Sequence, residues 1–157
     1  MSAHPSRAYA PALWGLASLF FLRVLGQVLV AFFDVRFLPP MPRWYSGLLP
    51  YPVLLPVQIL ILLVQVRINL DFSTGRGFFV VPRPALGRFL RWFSYVYFAA
   101  MALRYAVTRT HAIPVFFHWV LAAYLFALGH FHTRREMLPG DAPERRGPPP
   151  VPDDRRT

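Results

Sequence analysis

PALWGLASLFFLRVLGQVLVAFF, residues 11–33, is an apolar run in which Arg23 and Gln27 are the only strongly polar side chains. At about 1.5 Å of rise per helical residue, around 20 apolar residues cross a hydrocarbon core of about 30 Å, so this run is long enough to span a bilayer. Gln27 and Asp34 follow Arg23 and Gln27 by four and seven residues. At about 100° per residue that spacing confines all three to one stripe. A guanidinium at mid-bilayer depth faces neighbouring helices or a cavity rather than lipid.

Composition extends the membrane reading to the whole chain. Of 157 residues, 55% are hydrophobic, 17% aromatic and only 15% charged, with a mean hydropathy of +0.38. That is too apolar for an ordinary soluble domain and short enough for one bundle. The net charge of +10 would suggest nucleic acid in a soluble protein, but here the arginines flank apolar runs, and a bilayer partner is expected instead of nucleic acid. Cysteine is absent, which excludes disulfides, thiolate metal sites and thiol redox chemistry. The first apolar run continues to Phe33 without a small-x-small cleavage site, so it reads as a retained span and not a signal peptide.

The expected fold is all-α: an integral membrane protein with four transmembrane helices in one bundle, residues 1–138, followed by a disordered Pro-rich tail, residues 139–157. The spans are placed at about 11–33, 52–72, 86–108 and 112–132. Between the first two, Pro39, Pro40, Pro42 and Pro50 rule out a continuous helix, and Trp44 and Tyr45 suit the headgroup level. Span two carries Gln58, Gln65 and Asn69 on one face and ends in Arg67 and Asp71. STGRG, residues 73–77, reads as a turn, with a small anion nest as the less favoured alternative. Span three has Arg88 and Arg91 near its start, Tyr95 and Tyr97, the small residues Ala99, Ala100 and Ala102 suited to close helix approach, and Arg104 near its end. Thr110 is a candidate cap for span four, which has Pro114 in its first turn. The tail, PGDAPERRGPPPVPDDRRT, lacks a packable apolar face.

Arginine bias sets the expected topology. Arg7 of the N-terminal lead, the five arginines of the linker between spans two and three with its flanks, and the pair Arg134 and Arg135 after span four make eight, against Arg36, Arg43 and Arg109 on the other side. Positive residues favour the cytoplasm, so both termini are expected inside, at a bacterial inner membrane. Counted from the outer helix ends, Gln27, Gln58 and His118 then lie about 9 Å deep, Arg104 about 6 Å and Arg23 about 15 Å. The expected site is an outer-half pocket of Arg23, Gln27, Gln58, Arg104 and His118. It suits an anionic lipid, a quinone-like or other amphiphilic ligand, or a larger membrane complex, in a protein of binding or accessory type. The commoner role of such amides is interhelical hydrogen-bond glue, and Arg104 can snorkel to the surface. The alternative is a membrane-embedded enzyme, redox or lipid-modifying, that uses Arg23 and His118.

Cofactor identity is unknown at this level. Haem held by two imidazoles needs histidines on facing helices, but His118, His130 and His132 all belong to span four, so only a homo-oligomer pairing His118 with its copy would serve. No metal site is expected from His130 and His132, which lie two residues apart, point in different directions on a helix and are read as interfacial. Asp34 stands as the span carboxylate, and no phosphate-binding loop, zinc-protease or serine-hydrolase motif occurs. The topology is checked with reporters: one fused after Arg135 is expected to be cytoplasmic and one inserted near Ser46 external. An external C-terminal reporter would overturn both the orientation and the depths.

Overall fold

The computed structural model describes residues 5–33, 35–44, 50–108 and 112–134. Asp34, Tyr45, Arg109, Thr110 and the 139–157 tail, all singled out above, lie outside the described residues. Among the described residues the fold is all-helical, with no strand. Four long helices dominate: α1 (Ala10–Phe33), α3 (Tyr51–Thr74), α4 (Pro84–Thr108) and α5 (Ala112–Arg134), with the single-turn α2 (Met41–Trp44) in the first connection. The chain belongs to the membrane-protein class, since α1, α3 and α5 are each long and apolar enough to cross a bilayer. α4 is as long but more polar, because Arg88, Arg91 and Arg104 interrupt it.

Prolines and one glycine set the helix ends. Pro50 precedes α3, and Pro52 occupies its first turn, where no backbone donor is needed. At the other end Gly75 takes a left-handed conformation (φ 71°), and the amides of Gly75 and Arg76 both donate to Asp71 O, at 2.9 and 3.2 Å. Residues 73–77 are thus a helix-ending turn whose amides are engaged, not an anion nest. The Asp71 carboxylate completes this turn: it pairs with Arg67 at 2.8 Å and accepts from the Phe79 amide at 3.2 Å. A Cβ at Gly77, where φ is +125°, would run into that carboxylate.

α1 is the central element, packed against α3 on one side and α5 on the other, while α4 packs along α5. The dry core fills the half of the molecule near the start of α1. There Leu13 and Ala17 meet Ile68 and Phe72 of α3 and Tyr124, Leu128 and Phe131 of α5, with Phe72 and Phe131 edge to face at 4.7 Å between centroids. Outward-facing residues are strongly apolar, as lipid contact requires: Leu60 is 61% exposed, Leu63 62% and Trp92 72%.

Two local expectations are corrected. Trp44 does not sit among headgroups; it is buried against Gly26, where an added Cβ would lie 2.7 Å from the indole, and its Nε1 donates to Pro39 O. The first connection therefore folds back along α1, about two turns below Phe33. The close approach of α4 is made not by Ala99 and Ala100, which are exposed, but by Gly87 and Ser94, both buried. Alanines face outward here because the α4 seam follows Gly87 and Ser94, seven residues apart.

A Cβ on Gly129 would stand 2.9 Å from both the Arg91 amide nitrogen and the Gly87 carbonyl oxygen, which are backbone atoms that cannot rotate away. Gly129→Ala is therefore expected to separate α4 from α5 and lower stability by about 1–3 kcal/mol, whereas Ala99→Leu is nearly neutral. Thermal unfolding of the two variants in one detergent checks this, and equal melting temperatures would contradict the assigned seam.

Candidate functional site

The half of the molecule opposite the dry core is organised by polar side chains. Arg23 is 5% exposed, Gln27 fully buried and Gln58 4% exposed. Gln27 Oε1 is the shared acceptor: Arg23 Nη1 donates to it at 3.4 Å along α1, and Gln58 Nε2 donates to it at 3.2 Å from α3. Arg23 and Gln27 meet because residues four apart stack on one helical face. The cluster uses one amide oxygen twice and leaves Arg23 Nε, Gln27 Nε2 and Gln58 Oε1 buried without a partner.

Beside it opens a cavity of about 210 Å³ that all four long helices line. α1 gives Phe20 and Arg23, α3 gives Leu54, Val57, Gln58 and Ile61, α4 gives Tyr97, and α5 gives Phe117, His118 and Leu121. The walls are aromatic and aliphatic, and the polar groups converge from different helices, the usual build of a small-molecule site. The Arg23 guanidinium carbon stands 5.8 Å from the Phe117 ring centroid, and the His118 and Tyr97 rings are 5.8 Å apart. His118 Nδ1 meets the Pro114 carbonyl, which can only accept, so the neutral ring carries its proton on Nδ1.

Of the five residues singled out in the sequence, Arg23, Gln58 and His118 line this cavity, and Gln27 lies directly behind it, bonded to two of its neighbours. Arg104 is half-buried on α4 and is not part of the lining. Phe20, Tyr97 and Phe117 were not anticipated. Phe20 lies three residues before Arg23, so helical spacing was the available signal for it, whereas Phe117, adjacent to His118, carried none.

Charge distinguishes this cluster from the rest of the chain. Among the described residues one ion pair exists, Arg67 with Asp71, and the Arg23 guanidinium has no carboxylate partner. Asp71, whose side chain is 3% exposed, is a buried carboxylate within α3 that the sequence reading passed over in favour of Asp34. It stands in the last turn of α3, far along the helix from Gln58.

A second polar set lies within the dry core and is fully used. Asn69 Nδ2 donates to Leu13 O at 3.4 Å, and the Tyr124 hydroxyl donates to Asn69 Oδ1 at 2.9 Å, so one amide joins α1, α3 and α5. His132 is buried, 1% exposed, with neither ring nitrogen hydrogen-bonded, while His130 stacks on Phe126 at 5.9 Å. Among the described residues no cluster of three or more potential metal ligands occurs. Comparison of the chain with family models, with curated proteins and with solved structures finds no match in any of the three.

Gln27→Leu strands two donors at once, on Arg23 and on Gln58, whereas Gln58→Leu removes one donor together with its own unpaired oxygen. Gln27→Leu is expected to cost about 1–3 kcal/mol and Gln58→Leu less than half of that, since the penalty falls on buried groups left unpaired. Denaturant or thermal unfolding in detergent ranks them, and the reverse order would show that Gln27 is not the shared acceptor.

Proposed function

We propose that this chain is a four-span inner-membrane protein, with both termini in the cytoplasm, that binds an anionic amphiphile in the Arg23 cavity. The observation that carries the reading is a buried guanidinium at the wall of a cavity, with its Nε unpartnered and no carboxylate against it among the described residues. An uncompensated arginine deep in an apolar span costs about 2.5–3.5 kcal/mol on insertion scales. A ligand carboxylate or phosphate offsets that cost with short, charge-assisted hydrogen bonds. The aromatic and aliphatic walls of Phe20, Phe117 and Leu54 supply the apolar part of the contact.

α4 serves as the fourth span in this reading. Its stretch Trp92–Leu103, WFSYVYFAAMAL, is uncharged, and the flanking Arg91 and Arg104 can extend their stems toward the two headgroup layers. Its exposed Trp92, Val96 and Leu103 present an apolar face to lipid or to a neighbouring membrane subunit. Four spans and the arginine bias together support the cytoplasmic termini.

Arg23→Leu separates ligand binding from architecture. The native protein is expected to co-purify with a lipid-like anion; the variant is expected to be as stable as the native chain or more so, because the desolvated charge is removed, and to lack that anion. Arg23→Lys is expected to retain part of it, because an ammonium does not reproduce the planar fork of donors. Mass spectrometry of extracted ligand, read beside melting temperature, checks both. An Arg23→Leu protein that keeps its ligand, or loses it only in proportion to unfolding, would overturn the proposal.

A further inference from the structure

An apolar groove of about 330 Å³ runs between α3 and α5, and Ile61 and Leu121 line both it and the Arg23 cavity. From those shared residues it continues past Val64 and Leu125 to Ile68 and Leu128. The two polar residues in its wall turn their polar atoms away: Gln65 Oε1 is buried, and the Tyr124 hydroxyl is given to Asn69. The groove exists because the backbones of α3 and α5 both lean on α1 and meet each other only through long side chains such as Phe72, Phe131 and Tyr124.

We infer that the ligand is a single-chain amphiphile, with its anionic head at Arg23 and its unbranched tail laid along this groove. The inference rests on the anion-binding reading above and adds the shape of the ligand. Charge at one end and a purely apolar wall at the other, joined through Ile61 and Leu121, match a head and a tail in one orientation only. This groove is a single trough bounded by α3 on one side and α5 on the other, which suits one chain and not the two of a bilayer phospholipid. From Gln58 in the cavity to Ile68 at the far end of the groove, α3 runs ten residues, about 15 Å at 1.5 Å per residue. Carbon–carbon bonds of about 1.5 Å advance an extended chain about 1.3 Å per methylene, so the length suits a tail of about twelve carbons.

The test uses the full chain in phosphatidylcholine nanodiscs and two photoreactive alkanoates with a diazirine at the chain end, one built on hexanoate and one on dodecanoate. The dodecanoate probe is expected to label residues 60–68 and 121–128, the hexanoate probe residues around Phe117. Both labels should fall by about tenfold or more in Arg23→Leu. Val64 is 45% exposed, so Val64→Trp can fill the groove without disturbing the core. That variant should cut dodecanoate labelling by about tenfold and leave hexanoate labelling unchanged. Competition by unlabelled dodecanoate or by dodecyl phosphate tells a carboxylate head from a phosphate head, and competition by neither overturns the inference. Arg23-dependent hexanoate labelling with the dodecanoate end outside the groove would refute the tail placement alone. Labelling by both probes that ignores Arg23 would refute the anion site as well.

Discussion

A positive charge that cannot leave an apolar span is the constraint on which this structure turns. Arg23 is placed by the sequence of α1 about 15 Å from its Phe33 end, too deep for its stem to reach water easily. The fold answers by burying the guanidinium against Gln27 and bringing Gln58 of α3 to the same amide oxygen. That oxygen accepts two donors and can accept no more, so part of the hydrogen-bonding capacity of the guanidinium is left to the cavity. The cavity and the cluster are therefore one feature, a polar centre whose protein partners run out.

The two halves of the molecule differ in this respect. Around Leu13, Phe72 and Phe131 the helices share an apolar core, and the Asn69 amide is bonded to Leu13 O and Tyr124, joining three helices. Around Arg23 the same helices diverge enough to leave about 210 Å³ open. Polar groups that are fully paired make architecture, whereas polar groups left unpaired beside a void make a site. α4 contributes to both halves through α5: Gly87 fixes it against Gly129 at one end, and Tyr97 reaches the cavity further along.

The helices were legible because twenty-residue apolar runs have few readings other than spans, and Pro and Gly mark their ends. The stripe of Arg23 with Gln27 and that of Gln58, Gln65 and Asn69 were legible from spacing alone, because residues on one helical face meet whatever the helix packs against. Which helix they meet was not, and so Gln58 and Asn69, eleven residues apart on α3, play different parts. Asp71 was passed over because a carboxylate near a span end reads as interfacial. Its burial depends on Gly77 and the Phe79 amide folding back over it, a contact made by the following turn. Trp44 and the α4 seam were misread for the same reason: aromatic and small residues fit several environments, and tertiary packing selects one. Arg104 follows Tyr97 on the same face of α4, two turns further along, but does not itself line the cavity.

The central claim is that the free side of Arg23 is completed by an anion that is not part of the chain. A high-resolution structure of the protein purified with its native lipids reads this directly, as density beside the guanidinium. The account predicts an anionic head within about 3 Å of a guanidinium nitrogen of Arg23, with tail density continuing toward Ile61 and Leu121. A carboxylate of the chain itself in that position, or a cavity closed by the side chains around it, would contradict it.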